Sequence, residues 1–193
     1  KEYHGEWKDD KRNGRGIEYL ENGNKFYDGM WKNDKREGKG ISYKLSLFEN
    51  KAYDGEWKNA MKNGKGISYL PNGEKSYEGE WKDNYRNGKG VEYFYNGNKR
   101  YNGEWKDGKW NGKGISYNED GKMLFKGYFK NGKPYCPPNK VFVDNNCVTK
   151  KKCGKKYIYD QNKNECNKKR IVLKNNMLGN VKWFKPLSPP HPY

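Results

Sequence analysis

Tyr3-His4-Gly5-Glu6-Trp7, then Gly14-Arg15-Gly16-Ile17-Glu18-Tyr19: these two phrases return through most of the chain. The first recurs at Tyr27-Gly29-Trp31, Tyr53-Gly55-Trp57, Tyr77-Gly79-Trp81 and Tyr101-Gly103-Trp105. The second recurs at Gly38-Gly40-Ile41-Tyr43, Gly64-Gly66-Ile67-Tyr69, Gly88-Gly90-Val91-Tyr93 and Gly112-Gly114-Ile115-Tyr117. The beat is 24 to 26 residues. A fixed period of this size marks a repeat array, whose units bury apolar surface only against their neighbours.

Tyr3, Gly5 and Trp7 share parity, so in a strand they point to one face and His4, Glu6 and Lys8 to the other. Glycine weakens a strand, and its recurrence between two aromatics suggests that a ring lies across the backbone there. The polar stretch that follows ends in Asn13-Gly14, a pair that favours a turn. Ile17 and Tyr19 then define a second strand, expected to share the aromatic face. A second turn is expected at Glu21-Asn22-Gly23-Asn24. Each unit therefore reads as a β-hairpin, and successive hairpins as one antiparallel sheet. Glu6, Glu56, Glu80 and Glu104 before the tryptophan, and Lys8, Lys32, Lys58, Lys82 and Lys106 after it, read as a solvated face; Met30 interrupts the Glu row.

Composition agrees with a thin structure. Apolar residues make up 32% of the 193, against roughly 45–50% in ordinary globular domains. Aromatics reach 16%, so burial falls to the Tyr and Trp rows: Tyr3, Trp7, Tyr27, Trp31, Tyr53, Trp57, Tyr77, Trp81, Tyr101 and Trp105. No apolar run is long enough for a membrane-spanning helix. The chain begins at Lys1 rather than at an initiator methionine, which fits a processed or excised polypeptide.

The phrases resemble those of the MORN (membrane occupation and recognition nexus) repeat family. The likeness covers residue 3 to about residue 132, with five full units at about 3–26, 27–52, 53–76, 77–100 and 101–124 and a partial sixth. It implies an all-β fold: an elongated single-layer antiparallel sheet of repeated β-hairpins, with aromatics packed along an inner groove. It also implies a scaffold of the kind found in cytoskeletal, ciliary and cell-cortex structures, often as elongated dimers.

Specificity is expected where the chain departs from the repeat. The turn after Tyr43 is swollen, Lys44 to Asn50, and its Leu47 and Phe48 are candidate interface residues. Trp110 stands where other units carry Arg12, Arg36, Lys62 and Arg86; it is a candidate interface anchor or a local packing residue. In the sixth copy Phe125-Lys126-Gly127-Tyr128-Phe129 keeps the first phrase, but Pro134 replaces the second strand, so the array is expected to end at residue 133.

Residues 134–193 form a different region, with 13 basic and 3 acidic residues against 28 and 21 before it, within a chain of net charge +17. All four cysteines lie here: Cys136, Cys147, Cys153 and Cys166. Without a Cys-x2-Cys pair or a nearby histidine, a zinc site is poorly supported. Two disulfides suit a small, core-poor segment better, with three connectivities open, and would point to a secreted or lumenal location. Val141-Phe142-Val143 and Tyr157-Ile158-Tyr159 read as short strands, and Pro186 to Tyr193 as an extended arm.

Catalytic chemistry finds no residues to carry it. His4 and His191 stand at opposite ends, and the Gly-x-Gly phrases precede strands rather than helices, so they are not dinucleotide fingerprints. No enzyme activity, metal or cofactor is expected. The expected function is a structural scaffold whose array assembles with itself or with other structural proteins, as a dimer or a head-to-tail filament. The alternative is a peripheral module on anionic lipid, drawn by the basic tail. Nucleic acid is disfavoured, because packing accounts for the rings that would stack on bases.

Overall fold

The computed structural model describes residues 2–45, 50–143, 146–153, 157–160, 163 and 165–168. The first strands are β1 (Glu2–Lys8), β2 (Lys11–Tyr19), β3 (Lys25–Lys32), β4 (Lys35–Tyr43), β5 (Lys51–Lys58) and β6 (Met61–Tyr69). They continue as β7 (Lys75–Lys82), β8 (Tyr85–Tyr93), β9 (Lys99–Lys106), β10 (Lys109–Tyr117), β11 (Met123–Lys130) and β12 (Lys133–Tyr135). All twelve form one sheet in strict chain order, β1 at one edge and β12 at the other, with antiparallel pairing throughout. At ~4.8 Å between strands the sheet extends roughly 50 Å. Strands β13 (Lys140–Val143), β14 (Asn146–Thr149), β15 (Tyr157–Asp160) and β16 (Glu165–Lys168) make two separate hairpins. The described residues contain no helix.

Two kinds of connection alternate. The tight one is Asp9-Asp10, repeated as Asn33-Asp34, Asn59-Ala60, Asp83-Asn84, Asp107-Gly108 and Asn131-Gly132, all with positive φ. Two successive positive φ values make a two-residue hairpin turn whose twist matches the strands, and Asp and Asn tolerate it best. Asn13-Gly14, expected from the sequence to be this turn, lies inside β2. There Gly14, at φ 75°, serves a bulge at which two steps along β1, Gly5 to Trp7, oppose four along β2, Gly16 back to Arg12. The second connection is the expected Asn-Gly loop: Leu20 N donates to Asn24 O at 2.8 Å and Gly23 N to Leu20 O at 3.0 Å, a pattern repeated at Leu70, Phe94 and Asn118. In the swollen turn Lys44 N donates to Asn50 O at 2.9 Å; Leu47 and Phe48 lie outside the described residues.

The tyrosines and glycines explain each other. Tyr27, Tyr53, Tyr77 and Tyr101 are fully buried. Their hydroxyls donate to the carbonyls of Met30, Glu56, Glu80 and Glu104 at 2.9–3.1 Å. To reach them, each ring crosses a pair of facing glycines. Gly29 opposes Gly40, and a Cβ on Gly40 would run into the Tyr27 ring. The tryptophans tie units together: Trp31 Nε1 donates to Gly16 O at 3.1 Å, Trp57 to Gly40 O at 2.9 Å, Trp81 to Gly66 O at 3.1 Å and Trp105 to Gly90 O at 3.2 Å. Tyr27, Tyr53 and Tyr77 each stand edge-on between their own Trp and the next, Tyr27 with Trp31 at 5.1 Å and Trp57 at 5.5 Å, while Tyr101 has Trp105 and Phe129. Such pairs contribute ~0.5–1.5 kcal/mol each beyond area burial.

Two expectations about the faces need correction. Ile17 and Tyr19 do not join the rings. Matching Gly16 to Gly29 puts Glu18 opposite Tyr27 and Ile17 opposite Asp28, so the Ile/Val row lies on the reverse face. The residue facing the buried ring is instead Glu18, Ser42, Ser68, Glu92 or Ser116. Trp7 does not belong to the buried core: it is 58% exposed where its counterparts are 4–7%. Each of the others is flanked by its own tyrosine and that of the preceding unit, whereas Trp7 has Tyr3 alone, at 5.2 Å.

The far edge is built differently. Phe125 and Phe129 take the Tyr and Trp places and are buried. Three-residue β12 pairs Pro134 with Phe129, an edge position where a missing N–H is tolerated. Disulfides join Cys136 to Cys147 and Cys153 to Cys166, with Cα atoms 5.5 Å apart in both. The first ties the end of β12 to β14; Phe142 of β13 lies 5.3 Å from Phe125 and Cys147 packs against the aromatic core.

Candidate binding surface

Above the rings runs a row of cations. The guanidinium of Arg12 lies 4.0 Å from the Trp31 ring centroid. Arg36 lies 4.6 Å from Tyr27 and 5.2 Å from Trp57. The Lys62 ammonium lies 5.0 Å from Tyr53 and 4.8 Å from Trp81, and Arg86 lies 4.9 Å from Tyr77 and 5.1 Å from Trp105. Each residue is placed by the bulge, which sets it beside its own tryptophan across the tight hairpin, as Arg36 beside Trp31. Aromatic faces attract such charges, more strongly as water is removed.

Three described carboxylates answer this row, the first being Asp34, which meets Arg12 at 3.2 Å. Glu18 meets Arg12 and Arg36, each at 3.4 Å. Glu92 meets Arg86 at 2.6 Å and Arg100 at 3.7 Å. Burial pulls the Arg36 pKa below its usual value, against the opposing pull of Glu18. Burial also lowers Lys62, and neighbouring Arg86 adds to the effect.

Trp110 completes the row without a charge. Its ring stacks on Tyr101 at 4.5 Å and 6°, meets Phe129 edge-on at 5.7 Å, and donates Nε1 to Glu92 at 3.1 Å. Of the two readings of this residue, local packing fits these contacts. They mark the change from Tyr-Trp units to the Phe-Phe unit.

The Glu row before the tryptophans is also more than solvated charge. Glu6, Glu56 and Glu80 accept hydrogen bonds from the backbone N–H groups of Arg15, Lys65 and Lys89 at 2.9–3.1 Å, beside the positive-φ glycines of the bulges. Their constant spacing from those glycines was the available sequence signal. Tight turns are also joined across units: Asp34 N donates to Arg12 O at 3.1 Å, Ala60 N to Arg36 O at 2.9 Å and Asn84 N to Lys62 O at 3.0 Å.

A sequence model of the MORN repeat matches residues 3–25, 27–43, 53–75, 77–99 and 101–123, the units whose rings, glycines and bulges coincide above. The chain belongs to the MORN repeat family. No curated protein is similar enough to count as a match. MORN arrays are repeat-based binding and scaffold modules, and in this one the cation row and the β1 edge are the surfaces that differ along its length. Among the described residues no group of three or more His, Cys, Asp and Glu side chains could hold a metal ion. His4, near the β1 edge, is 2.7 Å from Glu2.

Proposed function

We propose that this MORN array is a non-enzymatic scaffold that self-assembles by pairing its β1 edge with β1 of a second copy. The observation that carries the reading is the unlike condition of the two edges. Among the described residues β1 is hydrogen-bonded on one side only, and Trp7 is 58% exposed. An open strand edge beside a half-covered indole is a template for another strand. At the opposite edge, short β12 carries Pro134 and is followed by the Cys136–Cys147 link, while Phe142 meets Phe125 of β11. Like edges meeting across a two-fold axis give a closed dimer, so a dimer is favoured over a head-to-tail filament. The paired cysteines suit an oxidising compartment.

Light scattering over a concentration series tests this. The dimer is expected in the parent chain and its loss in Trp7→Ala. A parent chain that remains monomeric at every concentration overturns the reading.

A further inference from the structure

Among the described residues, one member of the cation row has no carboxylate partner. Acid reaches a cation here from three places: the ring-facing residue six positions later, the same residue of the preceding unit, or the second residue of the next tight turn, as Asp34 reaches Arg12 at 3.2 Å. Arg12 and Arg86 use the first, through Glu18 and Glu92. Arg36 uses the second, through Glu18; Trp110 reaches Glu92 in the same way through its indole N–H. For Lys62 these places hold Ser68, Ser42 and the neutral Asn84, whose Oδ1 accepts from Lys62 N at 2.9 Å. Both serines are buried, and Ser68 Oγ is already 2.7 Å from Ser76 Oγ. No described carboxylate forms an ion pair with the Lys62 ammonium, which lies between the Tyr53 and Trp81 rings.

We propose that Lys62 marks a subsite that takes the carboxylate of a Glu or Asp side chain from an extended acidic segment of a partner protein. The chain supplies the pattern for its own ligand, since the groups that meet the neighbouring cations are Glu and Asp carboxylates at 2.6–3.4 Å. Serine at two of the places and asparagine at the third leave the carboxylate to come from outside. The ring walls exclude water, which strengthens a charge-assisted hydrogen bond. Lys62 is half-buried and so remains within reach, while burial first and then Arg86 lower its pKa.

The inference rests on the array being a binding module and not on self-assembly; a chain monomeric in light scattering that still binds acidic peptide separates the two. The probe is a fluorescent decapeptide of alternating Glu and Thr, which favours extended backbone, with a Gln-Thr peptide as neutral counterpart and inorganic pyrophosphate as competitor. Fluorescence anisotropy is expected to show the Glu-Thr peptide bound and the Gln-Thr peptide unbound. Lys62→Met, which keeps the packing stem, and Ser68→Glu, which supplies the internal carboxylate, should each weaken binding about tenfold or more, as expected for losing a desolvated charge pair. Ser42→Glu tests the same point from the other unit should Ser68→Glu melt early. Lys89→Gln removes an equal charge from the reverse face and should change affinity less than about twofold, as for a solvent-screened charge. The proposal is overturned if the Glu-Thr peptide does not bind, if the neutral peptide binds equally, if Lys89→Gln weakens binding as much as Lys62→Met, or if pyrophosphate alone shows the Lys62 dependence.

Discussion

The repeat sheet and the two tail hairpins are both antiparallel β-structure, yet they are held by opposite means. In the sheet every hairpin borrows from the next: Tyr53 packs on its own Trp57 and on Trp81 of the following unit, and Trp57 donates back to Gly40 O. The tail hairpins are four-residue strands, too small to bury a core, and each has a disulfide joining its second strand to the chain before it. The difference shows that a single layer can be stabilised through neighbours or through covalent links, and that the choice follows the supply of aromatics.

Alkaline titration should separate the two most sharply. Burial raises the pKa of Tyr27, Tyr53, Tyr77 and Tyr101 above the ordinary 10.0. Phenols that ionise more readily in the unfolded chain contribute stability that is complete below pH 10 and falls as pH rises from there towards the folded values. The loss approaches about 1.4 kcal/mol per pH unit for each tyrosine. Circular dichroism with tyrosinate absorbance should show the sheet unfolding as these rings ionise, and ionisation without unfolding would contradict it.

Tryptophan truncation probes the sheet from within. Trp57→Ala should cost about 3–5 kcal/mol in a thermal or denaturant melt, whereas Trp7→Ala should cost less than about 1 kcal/mol in the monomer, as an exposed residue. Equal losses would break the neighbour account. Thiol reduction addresses the other side. Loops of 11 and 13 residues are worth about 3 kcal/mol each in the chain-entropy picture. Amide exchange should accelerate in β13 to β16 on reduction, with β3 to β10 unchanged. The smallest expected effect is at Ala60, at φ 64°, where the equivalent Asp34 and Asn84 accept from Arg12 N and Lys62 N at 2.9 Å. Ala60→Asn should relieve left-handed strain and offer an acceptor to Arg36 N, raising stability by up to about 1 kcal/mol.

Much of this was open to reading in the residues themselves. The shared parity of Tyr53, Gly55 and Trp57 specifies a face, and their return specifies the sheet. Parity within one strand does not tell how the next is matched to it, which is why Ile17 belongs to the reverse face. The bulge hides the turn for a related reason: Asn13-Gly14 and Asp9-Asp10 both accept positive φ, and only hydrogen bonding between strands decides which pair closes the hairpin. Trp110 is conspicuous as an exception in a cation row, but its stacking on Tyr101 of the preceding strand and its edge contact with Phe129 of the next follow only from strand register. Lys62 is ordinary in sequence; its isolation emerges only when register brings Ser42 and Ser68 to the places that Glu18 and Glu92 occupy elsewhere.

Because each tryptophan reaches back only to the preceding unit, the array behaves as a linear polymer of interchangeable links. Removing residues 53–76 would join Ala52 to Tyr77 in matching phase, setting Trp81 against Tyr27 and Gly40 as Trp57 is now. Genomic loss or gain of one link would thus change the span of the molecule by a fixed step while keeping both ends, so length in such a chain can vary without the fold having to be reinvented.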